Sequence, residues 1–124
     1  MKNLIRVVAA SVLLVAPAFG LACEYPERPT LPDGSTASKD DMIAAQTAVK
    51  AFLAAVDEYL DCIEQEEKDA IAAMENPDEE TIKRRDELLS KRFDAANEEK
   101  FLFGEKWNQQ VRAYNAQKSE QGSK

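Results

Sequence analysis

The sequence predicts an all-α protein, an antiparallel two-helix hairpin of coiled-coil type, with an extended proline-rich strap at its N-terminal end. Three observations predict it. Apolar residues recur in heptads along two long stretches, one before and one after Asn76-Pro77. That break is so short that the two helices must be antiparallel neighbours. Pro26, Pro29 and Pro32 precede the first stretch at three-residue intervals, which places them on one edge of a polyproline II segment.

The N-terminal residues read as a secretory signal peptide over 1–22. Lys2 and Arg6 supply positive charge, Val7 to Ala16 is apolar apart from Ser11, and Pro17 leads into small residues ending at Ala22. The apolar run is about ten residues, half of what a membrane-spanning helix needs. Cutting after Ala22 makes Cys23 the first residue, and Ala16-Pro17-Ala18 offers a second cleavage point. The expected location is therefore exported, periplasmic or secreted. Lipid attachment at Cys23 is the other reading, although Gly20 stands where lipoproteins usually place Leu.

Removing residues 1–22 leaves 102 of the 124 residues, one domain at most, and moves the net charge from −7 to −9 because Lys2 and Arg6 are lost. Such a surface repels nucleic acid and anionic membrane. Two cysteines, Cys23 and Cys62, remain, and in an oxidising compartment two lone cysteines most often pair.

Residues 23–37 form the expected strap, with Pro32-Asp33-Gly34 as its turn. Helix 1 is expected over about 39–75. Ser38 is its cap, and Asp40 and Asp41 lie in the first turn, where the helix dipole favours negative charge. Met42, Val49, Val56, Ile63 and Ala70 make one apolar row, and Ala45, Phe52, Tyr59 and Ala73 a second. Leu53, Leu60 and Met74 widen the stripe. Helix 2 is expected over about 77–117, with Asn76 as cap and Pro77 as first helical residue. Its stripe is Ile82, Leu89, Phe93, Ala96, Phe103, Trp107, Val111 and Tyr114, and Gly104 inside it marks a candidate bend. Residues 119–124 are expected to be a disordered tail.

Folding about Asn76 brings Ile63 near Leu89 and Phe52 near Phe101 to Phe103. It also sets Glu64, Glu66 and Glu67 opposite Arg84, Arg85 and Arg92. From Cys23 to Ser38 the strap reaches about 46 Å as polyproline II, while Ser38 to Cys62 spans about 36 Å of helix. The strap can thus double back along helix 1 to a Cys23–Cys62 disulfide. Its expected bed is the small-residue lane of Ala44, Ala48, Ala51 and Ala55. On the chain-entropy model, closing that loop of about forty residues contributes roughly 4 kcal/mol.

Chemistry-bearing motifs are sparse. The chain has no histidine, the commonest general base and transition-metal ligand. It carries no Gly-rich phosphate cradle, nucleophile elbow or Ca²⁺ loop. The acidic cluster Glu64, Glu66, Glu67 and Asp69 reads as a solvated tip. The expectation is a non-enzyme with no catalytic, cofactor-binding or metal site. Apolar residues beyond the core stripe point elsewhere: Leu88, Ala95 and Leu102 form a second row on helix 2, with Phe101 on a different face. These four are the candidate partner surface, the partner being a second copy or an envelope protein. A holdase-like chaperone for periplasmic clients is the alternative role, by analogy alone.

The segments Cys23-x-x-Pro26-x-x-Pro29-x-x-Pro32-Asp33-Gly34, Met42-x-x-Ala45, Tyr59-Leu60-x-Cys62 and Trp107-Asn108-Gln109-Gln110-Val111-Arg112-Ala113-Tyr114 together resemble an uncharacterised family of small secreted bacterial proteins with two long helices. The motif covers most of the chain after residue 22, with Trp107 where Phe is expected. The resemblance implies an envelope location, supports the strap, and brings no activity.

Overall fold

The computed structural model describes residues 22–123. The signal segment expected over 1–22 lies, apart from Ala22, outside the described residues. Two helices, α1 (Lys39–Ala72) and α2 (Glu79–Gly122), pack against each other, and there is no strand among the described residues. The fold is the helical hairpin.

Helix α1 begins where the chemistry of its first turn dictates. Ser38 accepts a hydrogen bond from the Asp41 N–H, and the Asp41 carboxylate accepts one from the Ser38 N–H, a reciprocal capping box. The hinge differs from expectation in detail. Helix α1 stops at Ala72 rather than residue 75, and α2 starts at Glu79 rather than Pro77. The reason is the choice of cap. Asp78, not Asn76, accepts from the Thr81 N–H at 2.7 Å, so Pro77 falls outside the helix. Asn76 instead takes a positive φ of 47°, a left-handed conformation its short polar side chain tolerates.

The C-terminal end also departs from expectation. Of the tail expected over 119–124, residues 119–122 form the last turn of α2 and Ser123 its cap, while Lys124 lies outside the described residues. Gln117 anchors this end of the helix, donating from Nε2 to the carbonyls of Ser35 (2.6 Å) and Gly34 (3.4 Å). Gly104 does not interrupt the helix, which runs through it unbroken.

The register is close to that expected. Phe52 and Phe103 meet edge to face with ring centroids 4.8 Å apart, and Leu89 packs on the cluster that holds Ile63. Arg85 grips Glu67 with two hydrogen bonds of 2.6 and 3.0 Å. The remaining charges sort differently. Glu64 pairs within α1 with Lys68, Asp57 pairs with Lys100, and Arg92 turns to Tyr59, donating to its hydroxyl and lying over its ring. Long side chains at a solvated seam choose among neighbours that differ by under about 1 kcal/mol.

Cys23 and Cys62 are disulfide-bonded, with Cα atoms 5.8 Å apart, and the strap runs back along the hairpin from there to Ser38. It does not lie centred on the alanine lane. Ala44 and Ala51 stay exposed, while Ala48 and Ala55 are half-buried. The strap sits toward the groove between the helices, where Cys23 and Leu31 reach the core cluster and Tyr25 packs edge-on to Phe52 and Tyr59. A groove walled by two helices buries more apolar surface than one flank of a single helix, and burial drives the placement.

Candidate functional site

Two features of the molecule carry chemical information, the strap clamp and the outer face of α2. The clamp is held at three places. At one end is the disulfide. In the middle, Arg28 crosses to Glu99 of α2. At the other end the turn is built by Asp33, whose carboxylate accepts from the Ser35 N–H and hydroxyl, while its carbonyl accepts from the N–H groups of Thr36 and Ala37. Those bonds to Ser35 hold the Asp33 carboxyl below the usual carboxylate value. Burial against the aromatic stripe pushes the Tyr25 hydroxyl up, against the opposing pull of Arg28.

Gly34 is where the strap backbone comes closest to that of α2. Its N–H donates to Gln110 Oε1 at 2.9 Å. A side chain there would collide with the Gln110 carbonyl and crowd the Tyr114 amide, so only glycine allows the approach. The Pro32-Asp33-Gly34 turn and the segment from Trp107 to Tyr114 therefore meet in space. Sequence reasoning assigned the turn but not its landing site. It also missed the Arg28–Glu99 crossing, although Arg28 is the one basic residue of the strap.

The four candidate partner-surface residues do not come together as one patch. Leu88 (56% exposed), Ala95 and Leu102 (50% exposed) lie along one strip of α2, outside the strap. Phe101, 67% exposed, projects from a different side of the helix. Two shallow depressions flank Ala95. One is bordered by Leu88, Lys91 and Arg92 with Glu67 of α1 at its margin, the other by Glu98, Glu99 and Leu102 with Arg28 of the strap at its margin. A third groove lies between the helices near the hinge, where Ile71, Ile82 and Leu89 are rimmed by charged residues such as Glu64, Lys68 and Lys83.

Cys23 and Cys62 are both consumed by the disulfide, so neither offers a thiol. Among the described residues no three Cys, Asp or Glu side chains are grouped to hold a metal ion, and no helix is long and apolar enough to cross a membrane. Comparison with family models, curated proteins and solved structures finds no match to the chain.

Proposed function

We propose that this is an exported, non-catalytic helical protein that acts by protein–protein contact or self-association, with the outer strip of α2 as its contact surface. The observation that carries the reading is the row itself. Leu88 and Leu102, each half or more exposed, stand one heptad either side of exposed Ala95, on a face that neither α1 nor the strap covers. Covering a half-exposed leucine recovers on the order of 1 kcal/mol, so a partner that spans the row gains from both ends. The disulfide suits an oxidising compartment, and the acidic balance of the chain disfavours nucleic acid as the partner.

A photo-crosslinking side chain placed at Leu88 or Leu102 in the producing cell tests this. Adducts are expected there and not at Lys50, an exposed position on α1. Silence at both leucines would reduce the row to scattered surface hydrophobicity. The intact mass of the exported protein checks the delivery half of the reading: the expected species starts at Cys23 with its disulfide closed and no lipid. The holdase alternative draws less from the geometry, because Ile43 and Phe101 are exposed away from the row and do not extend it into a broad apolar surface. Suppressed aggregation of an unfolded client, lost in Leu102→Asp, is the result that would bring it forward.

A further inference from the structure

We propose that the occupant of the α2 strip is a second copy of this chain, docked antiparallel across a two-fold axis at Ala95, so that Leu88 of each copy meets Leu102 of the other. The inference rests on the contact role proposed for that strip and names what covers it.

Position along the helix comes first. Ala95 is seven residues from Leu88 and seven from Leu102, about 10 Å in each direction at the helical rise. A symmetric antiparallel pair places each residue near the centre line of the face opposite the one equally far on the other side of the axis. Leucine therefore faces leucine at both ends. The small side chain at the centre lets the two helices approach closely.

Charge then selects the direction. With roughly 100° of turn per residue, Lys91 and Glu98 fall on one edge of the leucine row and Arg92 and Glu99 on the other. On both edges the base precedes the acid by seven residues, with Ala95 between them. The two-fold operation carries each edge onto itself with its ends exchanged. Lys91 then faces Glu98 of the second copy, and Arg92 faces Glu99 of the second copy. The arrangement yields four opposite-charge pairs. A parallel pair would set Lys91 on Lys91 and Glu98 on Glu98, and the same charges would oppose it.

Lys91 and Glu98 are exposed and take part in no salt bridge within the chain among the described residues. The other edge is already ordered. Arg92 rests on Tyr59, and Glu99 is held by Arg28 of the strap. The strap thus steadies one side of the docking face while leaving the row open. Beyond the leucines the pattern ends: Arg84 would face Lys106 of the second copy, a like-charge pair that limits the contact to about 33 Å of helix. An interface of one helix face that long is at the small end of specific contacts, so association is expected in the micromolar range.

Sedimentation velocity on protein with its disulfide intact, from about 1 μM to about 1 mM, tests the proposal. A monomer–dimer equilibrium is expected. Leu102→Asp should weaken it about a hundredfold, because two leucine contacts become two buried carboxylates. Lys91→Glu should weaken it about tenfold, and adding Glu98→Lys should restore most of the loss, since the swap returns both pairs. All these positions are exposed, so unchanged helicity and melting temperature verify that each variant is folded. A wild-type monomer throughout the range overturns the second copy as occupant, while the crosslinking experiment still judges the strip as a contact surface. A dimer indifferent to Leu102→Asp overturns the proposal and places the interface elsewhere. Failure of the charge swap to rescue a dimer that Lys91→Glu has weakened overturns the antiparallel register.

Discussion

The two ends of the hairpin share the same helices and the same apolar period, yet only one end has a core. Among the described residues every buried side chain lies between Ala37 and Ile63 or is Ala96 or Phe103, all in the half that the strap covers. From Glu64 to Ala95 nothing is buried. Ile71, Met74, Ile82, Leu89 and Phe93 are only partly shielded there. Two helices touch along a line and leave both flanks of the seam open to water. A third segment laid in the groove closes one flank, and that is what turns a stripe of apolar residues into an interior. The strap is part of the core's construction rather than a decoration on it.

Removing the disulfide should have the largest effect on this contrast. In Cys23→Ser/Cys62→Ser, about 4 kcal/mol of chain-entropy stabilisation is lost. Urea denaturation should show it, and amide exchange should show the Val49 to Ile63 segment losing most of its advantage over the hinge half. Retention of full protection there would mean that the helices alone make the core. Next in size is a matched pair of truncations. Phe52→Ala, at a site 3% exposed where three aromatic rings converge, should cost about 3–5 kcal/mol. Leu89→Ala, in the half without a roof, should cost less than about 2 kcal/mol by the same measurement. Equal costs would refute the difference between the halves.

Gly34→Ala should cost about 1–3 kcal/mol, since its methyl group must push the turn away from Gln110. Chemical denaturation against the wild type measures this, and an unchanged midpoint would mean that the strap turn does not need the close approach. The smallest effect concerns acid. Hydrogen bonds from Thr81 hold the Asp78 carboxyl below the usual range, and those from Ser38 do the same for Asp41. The folded chain then binds these protons less readily than the unfolded one, so the contribution is complete above the unfolded pKa and is lost as pH falls through the lower, folded value. The gap in melting temperature between wild type and Asp78→Ala should be constant from about pH 7 to about pH 5 and shrink below about pH 4. A gap that widened on acidification would contradict the capping role.

Much of the buried stripe was readable because helical period is a local property. Met42, Ala45, Val49, Phe52, Val56 and Ile63 stand on the two predicted rows, and all are buried. Ala70 and Ala73 stand on the same rows and are not buried, because periodicity says which way a residue faces and not whether anything covers it. The disulfide was readable from reach, as an extended segment and a helix with comparable spans. The hinge boundaries were not. Asn76 and Asp78 are both good caps, and the geometry of one turn decided between them. Nor was the bed of the strap, since the alanine lane belongs to one helix and the groove exists only when two are packed. The strip of Leu88, Ala95 and Leu102 was visible as a surplus row, but its exposure depends on which side of α2 the strap and α1 occupy.

The chain's own order of residues was enough to specify two helices, their antiparallel course, the starting cap of the first and the pairing of its two cysteines. These follow from period, turn chemistry and contour length, which need no knowledge of distant neighbours. Packing alone decided which apolar residues became interior, where the strap came to rest, which ion pairs formed and which face of α2 was left uncovered. Each of those outcomes is a competition among surfaces from three segments, and burial awards the groove to whichever segment covers the most apolar area without stranding a polar group.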